Sequence, residues 1–197
     1  MENKMEEIRS QRKLEALEEN GTLIRKDGKT FLQLDCENAK ELSMKWGEKL
    51  YPFTKTGKKW ILELPFSTAV NYVQICVDGQ EVLSPELPIA HGYGRPYNYI
   101  ELPDEDGLFE LRDVPHGTLT QEFYKSKISD NWEKLILYLP PCVPSAGLPV
   151  LYLQHGFGES EISWSTTGKV NILMDNLIAA GKIKPFAIVM GNGMVKQ

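Results

Sequence analysis

The chain has 197 residues, 42% hydrophobic and 25% charged, with a formal net charge of -5; this is the balance of a folded globular protein with room for one mid-sized domain or two small ones. Lys and Arg are scattered among the acids rather than gathered into a stripe, which excludes the electrostatic footprint of a nucleic-acid binder. No run approaches the roughly 18 apolar residues that cross a bilayer, and the opening MENKMEEIRSQRKLEALEEN is charged throughout, so no membrane contact and no secretory leader is read and a cytoplasmic setting is expected.

In chain order, residues 1–20 are rich in good helix formers, with Ile8, Leu14 and Leu17 as a thin apolar face and Asn20-Gly21 as a stop. From Gly21 to Pro103 the pattern changes to short strands: Thr22–Arg25, Phe31–Cys36, Glu41–Trp46, Lys59–Leu64, Val70–Val77 and Tyr97–Glu101. Turns fall at Lys26-Asp27-Gly28, Thr56-Gly57, Ser67-Thr68 and Asp78-Gly79, and an Asp-Gly pair between strands marks a hairpin. Many short strands without a helical pattern predict a small β-sandwich. The segment from His91 to Asp113 is dense in Gly, Pro, Tyr and acids and reads as a boundary or packed linker.

A second pattern begins near Pro115. Thr118–Ser126 and Glu133–Leu139 alternate and predict an antiparallel pair, with Pro140-Pro141 as the stop and Pro144–Gly147 as a loop. The stretch Leu148–Gly158, LPVLYLQHGFG, joins an apolar run, Val150–Leu153, to two glycines around Phe157. It reads as a central parallel strand, buried on both faces, that opens into a loop presenting backbone N–H groups; a core strand followed by an ordinary turn fits the residues as well. A helix is predicted over Lys169–Ala180, with Val170, Leu173, Leu177 and Ile178 on its apolar face and Gly181 just past its end. Pro185–Met190 is a second buried strand, so strand, helix and strand form a βαβ unit of a parallel sheet.

The three cysteines, Cys36, Cys76 and Cys142, are dispersed and outside any CxxC, which argues for reduced thiols and against a disulfide framework or a zinc site. Asp104-Glu105-Asp106 is an acidic turn without a calcium-loop pattern. Neither a metal nor a cofactor is expected.

Two resemblances rest on these residues. The run Trp60–Pro65, then Tyr72–Gly79, then Ser84-Pro85 resembles the early-set immunoglobulin-like domains found in glycogen-branching enzymes and in front of some esterases; Gln74 and Ser84 depart from that pattern. In that family the module sometimes binds glucan, which makes Trp46 and Trp60 candidate sugar platforms, although tryptophans in such sandwiches more often fill the core. Further on, Leu148–Gly156, Trp164, Asp175–Pro185 and Val189–Gly193 resemble the esterase-D and feruloyl-esterase-like branch of the α/β-hydrolases, which also holds enterochelin esterases. Together they imply a mixed fold: an N-terminal helix (1–20), an immunoglobulin-like β-sandwich (21–103), a linker (104–115) and the first part of an α/β-hydrolase domain (116–197).

The second resemblance implies cleavage of a carboxylic ester by a serine nucleophile, a histidine base and an acid, with backbone N–H groups holding the oxyanion. By position the loop donor would be Phe157, with Gly158 giving the loop its freedom, and His155 and Gly156 supporting it; Trp164, Trp46 and Trp60 are candidate substrate contacts. The substrate would be a small-molecule or carbohydrate ester. No Gly-x-Ser-x-Gly elbow occurs, Gly158-Glu159-Ser160-Glu161-Ile162 lacks the second glycine, and His91 and His116 lie upstream of where that family places its base. The chain is therefore expected to be truncated before the nucleophile and inactive alone. A second reading is a carbohydrate- or partner-binding sandwich with a vestigial hydrolase segment. A third gives the sandwich a purely structural role, with Tyr93, Tyr97 and Tyr99 packed between the modules. The oligomeric state is open.

Overall fold

A computed structural model describes residues 17–143 and 147–193 of the chain. The helix expected at the N-terminus lies outside the described residues except for its last turn, residues 17–19, after which Gly21 takes a φ of 78°. The chain divides into two compact units, residues 17–90 with 96–105, and residues 91–95 with 106–193.

The first unit is built from β1 (Leu23–Lys26), β2 (Lys29–Asp35), β3 (Leu42–Trp46), β4 (Lys49–Pro52), β5 (Thr54–Thr56), β6 (Lys59–Glu63), β7 (Ala69–Val77) and β8 (Gln80–Val82), with β9 (Ile89–Gly92) and β10 (Arg95–Leu102) running past its limits. One sheet has the order β1-β2-β6-β5 and the other β4-β3-β7-β10-β9, with β8 also paired to β7. Alternation sets the inner faces: Leu32 and Leu34 of β2, Trp60 and Leu62 of β6, Leu42 and Met44 of β3, Val73 and Ile75 of β7, and Ile100 and Leu102 of β10 form one buried cluster. Each such side chain contributes roughly 1.5–3 kcal/mol when fully buried.

The turns follow their residues. Lys26 pairs with Lys29 and Val77 with Gln80, leaving Asp27-Gly28 (φ 53° and 74°) and Asp78-Gly79 (φ 49° and 80°) as two-residue loops, the left-handed pair that matches strand twist. The Asp78 carboxylate also accepts the N–H groups of Glu41 and Lys40 at 2.9 and 2.8 Å, and these bonds hold it below the usual carboxylate range.

The six expected strands are present to within a few residues, but β4, β5, β8 and β9 were not expected. The segment from His91 onward, read as a linker, holds the end of β9, a turn at Tyr93-Gly94 (φ 52° and 77°) and all of β10. β4, β5 and β8 are short and mostly exposed, so burial imposes no alternation on them.

The second unit has one sheet, β11 (Thr118–Lys125), β12 (Trp132–Leu139), β14 (Ala187–Gly191) and β13 (Val150–Tyr152), in that spatial order. β11 and β12 form the expected antiparallel pair, β12 runs antiparallel to β14, and β13 runs parallel to β14. Between β13 and β14 lie α1 (Ser163–Thr166) and α2 (Val170–Ala179). α2 ends as read: Gly181 has a φ of 66°, its N–H donates to Ile178 O at 2.9 Å, and the Lys182 N–H donates to Leu177 O at 3.0 Å.

Two expectations for this unit are corrected. β13 is an edge strand, not a central one: among the described residues it pairs only with β14, and Val150, Leu151 and Tyr152 are 50%, 42% and 78% exposed. The buried central strand is β14, with Ile188 and Met190 fully enclosed against Ile136, Tyr138 and Met174. Of the apolar positions read on α2, Val170 and Ile178 pack against this core, whereas Leu173 and Leu177 are half-buried outside it, and the fully buried residues are Asn171, Ile172, Met174, Asp175 and Asn176. Its polar members bond to other segments. Asp175 Oδ1 accepts the Tyr138 hydroxyl at 2.6 Å and the Gly117 N–H at 3.0 Å, Oδ2 faces His116 Nδ1 at 3.0 Å, and Asn176 Nδ2 donates to Leu108 and Glu110 O, both at 2.8 Å.

Candidate functional site

The loop after β13 is a four-residue turn closed by the Glu159 N–H on Gly156 O at 3.2 Å. Gly158 occupies its third position at φ 75°, while Phe157 keeps a negative φ, which is the type II arrangement and selects glycine at that position. The Gly156 N–H is taken by Glu159 Oε2 at 3.1 Å. The N–H groups of Phe157 and Gly158 have no acceptor within the described residues, and the Phe157 side chain is 78% exposed. Two adjacent amide donors are thus available at the end of a parallel strand.

Residues around the turn fix it from several sides. The buried His155 ring uses both nitrogens: Nε2 accepts the Gly193 N–H at 3.0 Å, which leaves the proton on Nδ1 to be donated to Gly156 O at 2.7 Å. This ring ties the loop after β13 to the loop after β14. Trp164, partly exposed on α1, donates from Nε1 to Gln154 O at 2.8 Å. Residues 91–95 belong to the same unit, and there the Tyr93 N–H donates to Phe157 O and the Gly94 N–H to Gly158 O, both at 3.1 Å. A Cβ on Gly158 would lie 1.9 Å from Gly94 N.

One buried charge stands close by in sequence. Glu161 is 1% exposed and its Oε1 lies 2.7 Å from Lys134 Nζ on β12, off the line of a hydrogen bond, while Oε2 has no partner. Ser160 sits in the loop before α1, its N–H bonded to Ser163 Oγ, and not at a strand-to-helix elbow. His116 lies beside Asp175 with its Nε2 3.0 Å from Arg112 O.

His155, Gly156, Phe157, Gly158 and Trp164 are therefore brought together. Trp46 and Trp60 are in the other unit. Trp60 is a core residue, 5% exposed, with Nε1 donating to Cys36 O at 2.9 Å, so it offers no face to a sugar. Half-buried Trp46 packs against Phe66 and Tyr51, with ring centroids 5.1 and 6.4 Å away. Tyr99 is buried, and Tyr97 packs edge-on to Tyr72. Among the described residues no group of three or more His, Cys, Asp or Glu could hold a metal, and no helix is long and apolar enough to cross a membrane.

The sequence reading gave no role in this loop to Glu159, Tyr93, Gly94 or Gly193, although Tyr93 stood in the tyrosine cluster and Gly193 ended a stretch that carried the second resemblance. A signal existed for Tyr93-Gly94, a residue pair ending in glycine between two possible strands. Gly193 meets the loop through its N–H on His155 Nε2, a contact that sheet pairing brings about and local spacing does not reveal.

No protein-family model matches the chain. It is 36% identical over 143 residues to the endo-1,4-beta-xylanase/feruloyl esterase of Xylanibacter ruminicola, an alignment that covers 68% of this chain and 20% of that protein. Among solved structures, the Shigella flexneri enterobactin esterase, in the presence of enterobactin, superposes with a TM-score of 0.60 at 11% identity, over 88% of this chain and 55% of that one. The ferric enterobactin esterase of Salmonella typhimurium gives 0.58 at 8% identity, over 87% and 56%. At such identities the structural likeness concerns the fold alone. The chain spans about one fifth of its curated relative and about half of these structures, and over most of its own length it is similar to hydrolases of the esterase type.

Proposed function

We propose that this chain is part of a serine-type carboxylic ester hydrolase of the feruloyl or enterochelin esterase kind. It would comprise an early-set immunoglobulin-like sandwich over 21–103, a linker over 104–115 and the opening of an α/β-hydrolase sheet from 116. The observation that carries this reading is the Gly156–Glu159 turn with its two N–H groups that have no acceptor among the described residues. When a nucleophile adds to an ester carbonyl, charge moves onto the carbonyl oxygen, and a preorganised amide aimed at that oxygen stabilises the transition state by about 3 kcal/mol. Phe157 N–H is the assigned donor, Gly158 gives the turn its conformation, and His155 positions the loop through Gly156 O and Gly193 N and is not the general base. Trp164 holds the loop through Gln154 and lines the approach to it.

The name of the 36% identical relative supports an aromatic acyl group carried on a sugar as the ester. Burial of Trp60 removes the sugar-platform argument for a binding module, so that reading is not adopted. Because the 197 residues contain no Gly-x-Ser-x-Gly, the polypeptide alone is expected to hydrolyse p-nitrophenyl acetate no faster than buffer, and enzyme-like turnover would overturn the assignment of roles. The reading frame downstream of codon 197 supplies the second test. Continuation through Gly-x-Ser-x-Gly, an acid and then a histidine is expected, whereas a stop codon in an intact transcript would favour the binding module.

A further inference from the structure

Asn-Gly occurs twice in the chain, at Asn20-Gly21 and Asn192-Gly193. In this dipeptide the glycine nitrogen can close a five-membered ring onto the asparagine side-chain carbonyl carbon, so the covalent chain itself holds attacking and attacked atoms together. An amide that keeps its proton is a poor nucleophile, and the fate of the glycine N–H therefore decides whether the ring forms. The two sites differ at this atom.

The Gly21 N–H donates to Glu18 O at 3.1 Å, and Asn20 Oδ1 is engaged by the Thr22 N–H at 2.9 Å. A backbone carbonyl does not remove an amide proton at neutral pH. The Gly193 N–H donates instead to His155 Nε2 at 3.0 Å, and the His155 ring is oriented by its Nδ1 contact with Gly156 O at 2.7 Å. A nucleophile, a base within hydrogen-bond reach and a third group that orients the base are the parts of an activated nucleophile. Gly193 is also exposed, so water reaches this dipeptide.

We infer that Asn192-Gly193 is a self-modification site, at which His155 serves as base for attack of the main chain on the Asn192 side chain. The Gly193 nitrogen bonds to Asn192 Cγ as its proton passes to His155 Nε2. The proton then goes to Nδ2 as the Cγ–Nδ2 bond breaks, and ammonia departs, leaving a cyclic imide. Water opens that ring at Cγ to give aspartate, or at the main-chain carbonyl to give isoaspartate, whose backbone runs through the side chain. In sum, asparagine and water become a carboxylate and ammonia. The carbon that isoaspartate adds to the backbone displaces the Gly193 N–H from His155 Nε2, so the tie between the loops after β13 and β14 has a limited lifetime. This chemistry is independent of the ester-hydrolase reading.

The test is peptide mass spectrometry of the whole chain aged at neutral pH, both native and in concentrated urea. In the native chain Asn192 is expected to convert roughly fivefold or more faster than Asn20, since a positioned base accelerates proton transfer. In urea neither glycine keeps its partner, and the two rates should agree within about twofold. His155→Gln retains an acceptor for the Gly193 N–H but cannot carry its proton, so it should bring Asn192 down to the rate of Asn20. A smaller native ratio, or one that persists in urea, overturns the inference. Undiminished conversion at Asn192 in a His155→Gln chain that melts with the parent overturns it too; if that variant melts early, the native and urea rates of the parent decide alone.

Discussion

At Gly158 an alanine would have to hold φ near 75° with its methyl 1.9 Å from an amide nitrogen and 2.4 Å from the Tyr93 carbonyl carbon. Both contacts are to backbone, which cannot swing aside as a side chain can. Gly158→Ala is therefore expected to lower stability by about 2–4 kcal/mol, combining the left-handed penalty with overpacking, measured as a shift of the urea midpoint. Tyr99 is a titrating residue of the first unit. Burial, then the nearby Glu101 carboxylate, pushes its phenol up to about 12. A phenol whose folded pKa exceeds its unfolded value near 10 keeps its full contribution below pH 10 and loses it as pH rises toward 12. Stability should fall by about 3 kcal/mol across that interval, and Tyr99→Phe should flatten the loss; an unchanged alkaline slope in the variant would refute the assignment.

Among elements, the exposed edge of β13 has the most direct experimental consequence. Val150, Leu151 and Tyr152 form an apolar edge without a second partner among the described residues, and an open edge templates pairing with other chains. The chain is expected to self-associate at high concentration. Leu151→Lys should reduce scattered light several-fold without lowering the melting temperature, since charge blunts an edge and a side chain already 42% exposed gives up little burial. The same strand marks how far residue patterns reach. Val150–Leu153 announced a strand correctly, but its apolar run could not say which strand would lie beyond it, and burial depends on that neighbour. β2, β6 and β7 were legible because one face of each meets the core, so composition and burial agree. α2 was legible as a helix and in part of its face: Val170 and Ile178 pack against the core, but Asp175 and Asn176 are buried through bonds to Tyr138, Gly117, Leu108 and Glu110, partners that no spacing within the helix reveals. In the loop, Phe157 and Gly158 could be picked out as residues; their free N–H groups belong to a turn closed by Glu159 and braced by Tyr93 and Gly94.

For the whole chain, the two units carry separate cores of different size. Among the described residues one cluster has sixteen buried members and the other five, centred on Tyr138, Ile188 and Met190. Unequal cores predict departure from two-state unfolding. Amides of Ile188 and Met190 should exchange at lower denaturant than those of Leu32 and Ile75, and calorimetry should give a van't Hoff enthalpy below the calorimetric one. A single coincident transition by both probes would show instead that the units unfold together.

The pairing of β13 with β14 also sets a clock on synthesis. β13 leaves the ribosome first, and its partner follows only after α1 and α2 have been made. At roughly 5–20 residues per second, that gap lasts on the order of seconds. During it this apolar strand has no native hydrogen-bonding partner, the interval in which a chaperone or a neighbouring nascent chain competes for it. The strand from which the Gly156–Glu159 turn extends is thus also exposed to misassembly before folding is complete.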